Sequence, residues 1–439
     1  MTTNYMPYMP DQALLLPPAL QEWLPEGHLA YFVSDTVDAL DLSAFHERYA
    51  TGGPRNQPFH PAMMVKVLLY GYATGVFSSR KLARKLHEDV AFRVLAADNF
   101  PAHRTLSDFR AFNLEALSGL FVQVVKLAQE CGLVSLGTIA IDGTKVKANA
   151  SRHKAMSYKR MLQAEAQLKQ QIAELMERAR ATDEAESTEP DLDLPAEIQR
   201  REARLATIAA AKARLEARQR EADREKGRSE DDDQQPPNAD GTRKRGPKYK
   251  RKFGIPEDKA QESFTDPDSR IMKHGNGAYE QSYNGHTAVD AKHRIIVAAE
   301  LSQNAADSDR LPVMLEAVKT NLDAYPEQTL ADAGFRGETI FAQLAQTPTE
   351  LIVSIGREGR KPRAIDANKY PQTALMQARL ETESAKAAYR KRKHIVEPPN
   401  GWIKTVQGFR QFSLRGYEKA RCEWKIVTAA LNLRRMAYL

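Results

Sequence analysis

Three carboxylates lie along the chain in settings that suit hard-cation chemistry. Asp142 falls in Thr138-Ile139-Ala140-Ile141-Asp142-Gly143-Thr144-Lys145-Val146-Lys147, a small, β-branched and apolar run that predicts a strand leading up to the acid. Asp332 closes a shorter strand pattern over 328–332. Glu397 lies between Tyr389 and Lys404 in a segment rich in cations that suit phosphate. Lys404 is seven residues past Glu397, on nearly the same face if the segment is helical. Mg²⁺ takes oxygen ligands, often only one or two protein carboxylates, and leaves positions for water and a substrate phosphate. Each acid also has an ordinary reading. Asp-Gly between strand-like runs is a common hairpin turn, and a hairpin beginning at Gly143 still leaves Asp142 projecting from a strand end. Glu397 precedes Pro398, and a residue before proline disfavours helical geometry, which puts Glu397 at a helix start rather than inside one.

The elements that must position these acids follow in order. After the Asp142 strand come strand patterns at Tyr283–Asp290 and His293–Leu301, then a helix over Asp307–Leu322. The strand Gln328–Asp332 follows, then a helix through Ile340, Phe341 and Leu344, the strand Glu350–Ile355, and helices to the end. The first three strands form an antiparallel meander and the last two add by crossovers. The expected fold class is therefore α/β, a mixed five-stranded sheet with flanking helices in which the Asp332 strand lies beside the Asp142 strand. Rival acids have local explanations. Asp307 and Asp309 read as helix caps, and Asp266 and Asp268 as turn residues around Pro267. Asp290 ends a strand and is the substitute if Asp142 is only a turn. His286 and His394 lack paired ligand spacing and read as local hydrogen-bond formers, and Trp402 reads as core.

Residues 1–133 predict an all-α N-terminal domain. Pro61 opens a helix through Met63, Met64, Val67, Leu68 and Tyr72; Gly75 and Phe77 mark a turn; Ser78 or Ser79 caps a second helix. That second helix carries Arg80, Lys81, Arg84 and Lys85, the outline of a helix-turn-helix, with a solvated basic face as the alternative. Thr105-Leu106-Ser107-Asp108 resembles a capping box opening a further helix through Phe109, Phe112, Leu117 and Phe121. Residues 156–227 predict an antiparallel coiled-coil hairpin, with Met161, Leu168 and Leu175 on one arm and Ile208, Leu215 and Ala222 on the other. A dimerisation seam is the alternative. Residues 228–254 read as a disordered charged linker, either a solvated spacer or an arm that neutralises phosphates.

The totals narrow the class. A chain of 439 residues with 42% hydrophobic content can fold two or three domains. A net charge of +7 favours a polyanionic partner, and two cysteines argue against a disulfide framework. Neither a signal peptide pattern nor an apolar run approaching the ~20 residues of a membrane span is expected, so the sequence predicts a soluble, cytoplasmic protein.

These segments resemble bacterial insertion-sequence transposases of the DDE class. The resemblance runs through Phe59-His60-Pro61, Ser79 to Leu86, Arg104 to Arg110, Thr265 to Arg270, Tyr283-Asn284-Gly285-His286, Ala331-Asp332-Ala333-Gly334-Phe335 and Glu397 to Lys404. It implies an RNase H-like catalytic domain over 134–155 and 255–415, with 416–439 as a C-terminal helix packed on it. It implies Asp142, Asp332 and Glu397 as catalytic metal ligands for two Mg²⁺ ions, with Mn²⁺ as a substitute. Tyr389, Arg392 and Lys404 match the tyrosine, arginine and lysine that accompany the glutamate, although four residues separate Arg392 from Glu397 where many relatives have three. Arg80, Lys81, Arg84, Lys85, Arg104 and Arg110 fall to the DNA-binding domain. The implied partners are double-stranded DNA, at element ends and target, and further copies of the chain as a homodimer or higher; the implied location is the nucleoid. The implied activity is strand cleavage to a 3′-hydroxyl followed by strand transfer. A non-cutting DNA-binding protein on the same scaffold and a coiled-coil interaction protein are the competing functions.

Overall fold

Helix α3 (Pro61–Ala73) is apolar on every side, and eleven of its thirteen residues are buried. A helix of that kind has no solvent face and must sit at the centre of its neighbours. The computed structural model, which describes residues 19–47, 57–151, 154–185, 194–230, 248–356 and 365–439, puts it there. Around it lie α1 (Leu29–Ala39), α2 (Ser43–His46), α4 (Ser79–Glu88), α5 (Val90–Leu95), α6 (His103–Phe112) and α7 (Leu114–Glu130). α4 buries Leu82 and Leu86 and turns its cations outward; Ser78 holds the N-cap position without a side-chain cap bond. The capping-box expectation at Thr105 is corrected, because α6 begins at His103 with Ala102 as N-cap. That helix also ends sooner than expected, and α6 and α7 meet at Asn113 with a 72° bend. Among the described residues no single helix is long and apolar enough to cross a membrane; this bent pair passes such a test only jointly, and its apolar residues Leu106, Leu117, Leu120 and Phe121 are core.

The rest of the chain is built on a mixed sheet. β1 (Thr138–Lys147) is flanked on one side by antiparallel β5 (Tyr279–Asp290) and on the other by parallel β7 (Gln328–Ala331), which pairs in parallel with β8 (Glu350–Val353). β4 (Arg270–Lys273) and β6 (Ile296–Ser302) share the far edge of β5 end to end. The expected five strands and their meander-then-crossover order are present, and β4 is a sixth strand that the pattern did not show. Helices α10 (Leu311–Leu322), α11 (Glu338–Leu344), α12 (Pro371–Glu381), α13 (Glu383–Thr405) and α14 (Tyr417–Met436) cover it.

The N-terminal helices and the sheet share one continuous apolar core rather than two separate ones. α14 is the shared element, contributing Trp424, Val427, Ala430, Leu431 and Leu433. Between β1 and β5 the chain leaves the core. A two-stranded sheet of β2 (Ala155–Ser157) and β3 (Gln261–Ser263) forms the root, and α8 (Tyr158–Ala185) and α9 (Leu194–Glu225) extend from it side by side. Tyr158, Met161, Leu168, Ile208, Ala211 and Leu215 form their own apolar cluster. The root is pinned by Glu262, which is 1% exposed and bonded by both Arg214 and Arg218. The expectation of disorder across 228–254 is corrected at both ends. Arg228 pairs with Asp223 at 3.1 Å and covers the Tyr249 ring at 3.7 Å, and Gly254 N donates to Asp223 at 2.9 Å. Residues 231–247, with Arg243, Lys244 and Arg245 of the basic run, lie outside the described residues.

Candidate active site

Asp142 stands within β1, not at a turn. Gly143 continues the ladder opposite His286, so the hairpin reading of Asp-Gly fails. The glycine serves close approach instead: a Cβ at Gly143 would lie 2.6 Å from Asp307 Oδ1. In the parallel pair β1–β7, Ile141 is partnered by Ala331. The next residues are Asp142, still within β1, and Asp332, one residue past β7, so the two acids stand side by side. Asp142 Oδ1 accepts from Gly143 N at 2.9 Å, and Asp332 Oδ1 caps the following turn by accepting from Gly334 N at 2.8 Å.

The electrostatics are unbalanced at Asp142. Burial and the charge of Asp332 push its carboxyl up to about 6, with a smaller push from Asp307; the Arg392 charge and the Gly143 N–H act against them. Arg392 is 5% exposed and lies with its guanidinium 5.6 Å from the Tyr389 ring centre. Lys404 is half-buried beside Asp142; burial lowers its ammonium below the usual lysine range, Asp142 opposes that, and Arg410 adds to it.

Glu397 is placed differently from expectation. α13 runs unbroken through Pro398 and Pro399, so Glu397 lies inside the helix rather than at its start. Pro398 has no N–H for the His394 carbonyl, and Arg294 Nε donates to that oxygen at 2.9 Å instead. Val396, Pro399, Asn400 and Ile403 pack inward, and Asn400 Oδ1 accepts from Thr287 Oγ1 at 3.2 Å. Thr287 is the β5 partner of Asp142, so α13 crosses the sheet over the Asp142 face. Glu397 itself is exposed, and among the described residues no three His, Cys, Asp or Glu side chains converge closely enough to hold a metal ion. The structure brings Asp142 and Asp332 together and leaves Glu397 outside the pair.

The rival acids separate cleanly. Asp290 is fully buried and accepts from Ser135 N, Ser135 Oγ, Leu136 N and Lys292 N, which makes it a structural acid rather than a substitute for Asp142. Asp266 is buried and accepts from Tyr283 OH and Gly416 N, while Asp268 accepts from Tyr417 N, so both hold the start of α14. Asp309 pairs with Arg310. The helix-cap expectation for Asp307 is corrected, because α10 begins at Leu311 with Arg310 as its N-cap. The Asp307 side chain points to the site instead. Its sequence signal was indirect: Asp142 and Asp332 are each followed within two residues by a glycine where another group crowds the backbone. His286 is fully buried and donates to Asp307, as a structural hydrogen bond. Trp402 is half-buried and packs against the core, with Arg435 over its ring at 5.3 Å.

On the helical half, Arg80, Lys81, Arg84 and Arg104 are exposed; Arg84 and Lys85 also pair with Glu88 and Asp89. Arg110 is a correction. It is 6% exposed and donates to Tyr72 OH, Phe77 O and Ser413 Oγ, so it is not available at the surface for DNA.

Two family comparisons match the chain. Residues 239–433 match a family described as Transposase DDE domain, and residues 18–111 match one described as Transposase domain (DUF772). The first match includes Asp332 and Glu397; Asp142 lies between the two. No curated protein and no solved structure gives a significant match. With transposase families matching both its helical part and its sheet part, the chain belongs to the insertion-sequence transposases of the DDE type.

Proposed function

We propose that the chain cuts DNA at the ends of its own element and joins the freed strand to target DNA, using the Asp142–Asp332 end of an RNase H-like sheet. One observation carries this reading: two carboxylates side by side, one within β1 and one just past the end of parallel β7, the first pushed up to about 6 by burial and by the second, with Lys404 and Arg392 alongside. Crowded, desolvated acids of that kind are functional-site candidates. All-oxygen ligands suit Mg²⁺, and a dication between Asp142 and Asp332 would relieve their repulsion. When bound, two such ions supply charge that offsets what develops on the phosphate oxygens during in-line displacement.

The chain's own groups do the rest. Asp142, within β1, and Asp332, just past β7, hold the site on the rigid sheet. Lys404, beside Asp142, receives a phosphate oxygen, and Arg392 balances the acid charge from behind. Glu397, on the helix over the same face, is the third acid and closes on the site when DNA is in place. Water cuts the strand to leave a 3′-hydroxyl, and that hydroxyl attacks the target. The outward cations of α4 and Arg104 bind duplex DNA through its phosphates. Joining two element ends requires at least two copies of the chain.

The test uses purified protein, labelled DNA carrying element ends, and Mg²⁺ or Mn²⁺. Asp142→Asn, Asp332→Asn and Glu397→Gln should each lower cleavage by roughly 10³-fold or more while end binding stays within threefold, on the scale of losing a group that acts directly on the transition state. Cleavage retained in any of the three overturns that residue's assignment, and binding without cleavage in the parent chain favours the non-cutting reading.

A further inference from the structure

We infer that Asp307 is a positioning residue for the catalytic acids, a wedge that fixes the backbone after Asp142 against the backbone after Asp332. The inference rests on the reading of Asp142 and Asp332 as the catalytic pair.

Asp307 lies in the connection from β6 to α10, remote in sequence from both acids. Its Oδ1 accepts from Asn284 Nδ2 at 2.7 Å and from His286 Nε2 at 2.9 Å. Asn284 and His286 are alternate residues of β5, so both side chains leave the same face of one strand. His286 is the ladder partner of Gly143. The imidazole cannot swing away: it is fully buried, its ring meets Phe335 edge-on at 6.0 Å, and its own carbonyl accepts from Trp424 Nε1. The carboxylate is therefore held from behind by the central sheet.

Its other contacts are with the acid-bearing segments. Oδ1 occupies the space of a Gly143 side chain, with 2.6 Å left for a Cβ there. Oδ2 faces Gly334, where a Cβ would lie 3.2 Å from it and 2.9 Å from Asp332 Oδ1. One carboxylate thus fills the side-chain space one residue past Asp142 and two residues past Asp332. At Gly143 the contact needs glycine, and at Gly334 a side chain would press on both Asp332 and Asp307. A group clamped to β5 and pressed on both segments sets their separation, and with it the separation of the two acids. Oδ1 is already saturated by two donors, which suits a spacer acting through the backbone.

Shape, not charge, is then what matters at position 307, and paired substitutions test this. Asp307→Asn fills the same space and keeps an acceptor for Asn284 and His286. Asp307→Ala empties it. Mn²⁺ binding to the DNA-free protein, followed by electron paramagnetic resonance, gives a readout separate from catalysis, with urea unfolding run on every variant. Asp307→Ala should weaken Mn²⁺ binding about 10- to 100-fold, the usual scale for groups that orient ligands. Asp307→Asn should stay within about threefold of the parent, as volume and hydrogen bonding are kept. Gly143→Ala should reproduce the loss by displacing the carboxylate, and Gly143→Ala with Asp307→Ala should bind no worse than Asp307→Ala alone. If Asp307→Ala does not fold, Asn284→Ala loosens the same carboxylate and should cost a smaller, measurable part of the affinity. Parent-like Mn²⁺ affinity in folded Asp307→Ala overturns the inference. So does an Asp307→Asn loss as large as that of Asp307→Ala, which would make Asp307 a ligand. If Asp142→Asn and Asp332→Asn leave Mn²⁺ binding unchanged, the catalytic-pair reading fails instead.

Discussion

Two acids, the buried Glu423 and the half-buried Asp142, are treated in opposite ways by the same core. Glu423 lies where the N-terminal helices meet the sheet, fully buried. It accepts from Tyr72 OH at 2.8 Å, Ser413 N at 2.9 Å, Leu414 N at 3.1 Å and Ser413 Oγ, and Arg110 stands behind Tyr72 and Ser413. Among the described residues Asp142 has a single donor, the adjacent Gly143 N–H, and it faces a second carboxylate. A saturated buried charge joins two parts of a fold. An unsaturated one keeps an unmet demand for positive charge, which a ligand can meet. The difference separates the groups that hold this protein together from those that act.

The largest effect should follow from breaking the saturated site. Glu423→Ala strands Tyr72 and Arg110 in the core without their acid, and removal of one member of a buried charged network costs about 3–5 kcal/mol. The expected result in urea unfolding is a loss of that size. If the mutant loses less than about 1 kcal/mol, on the scale of a surface pair, the junction is not the structural clamp its bonding suggests.

Substitution at the unsaturated site should do the reverse. The Asp142 carboxyl is raised from the usual 3.8 to about 6 in the folded chain. Below pH 4 the acid is protonated folded or unfolded and costs nothing. As pH rises towards 6 the unfolded chain ionises first, so the raised value becomes a penalty of at most about 3 kcal/mol above pH 6. In metal-free buffer Asp142→Asn should be more stable than the parent at pH 7.5, by about 2–3 kcal/mol, while its cleavage is lost. The gap should shrink as pH falls from 6 towards 4. A gap that ignores pH would remove the charge argument.

The contrast between the two acids was half legible in the residue order. The Asp142 and Asp332 strands could be read because short apolar runs ending on an acid, joined by crossovers, leave few arrangements that bring parallel ends together. Asp290 and Asp142 looked equivalent at that level. What separates them is Ser135 and Leu136, whose N–H groups reach Asp290 from more than 150 residues away in sequence. Arg110 was misread for the same reason: it belongs to a basic-looking helix, and its partner Ser413 comes 303 residues later. Asp307 resembled a cap because acids before helices usually are caps, and only the sheet register brings it beneath Gly143. Glu397 was placed at a helix start by a sound local rule for the residue before proline. Tertiary packing of Val396, Pro399 and Ile403 overrode it.

That override supplies the smallest of the expected effects, and it sharpens the comparison at the active end. If only ligand-facing carboxylates are left unmet there, the backbone of the helix carrying Glu397 should be satisfied, prolines included. The carbonyl that Pro398 leaves without its helical donor is taken by Arg294, itself held at φ 60°. Arg294→Ala should therefore cost about 1 kcal/mol, the net worth of one hydrogen bond to a partly exposed carbonyl. The cost should fall towards zero in a Pro398→Ala background, because the restored N–H at 398 takes the His394 oxygen. Such coupling between a side chain in the β5–β6 turn and a proline in the helix is read from a double-mutant cycle of urea midpoints. An additive cycle would mean that the Arg294 bond is incidental, and that the helix carrying Glu397 tolerates an unmet backbone group as readily as the site tolerates an unmet acid.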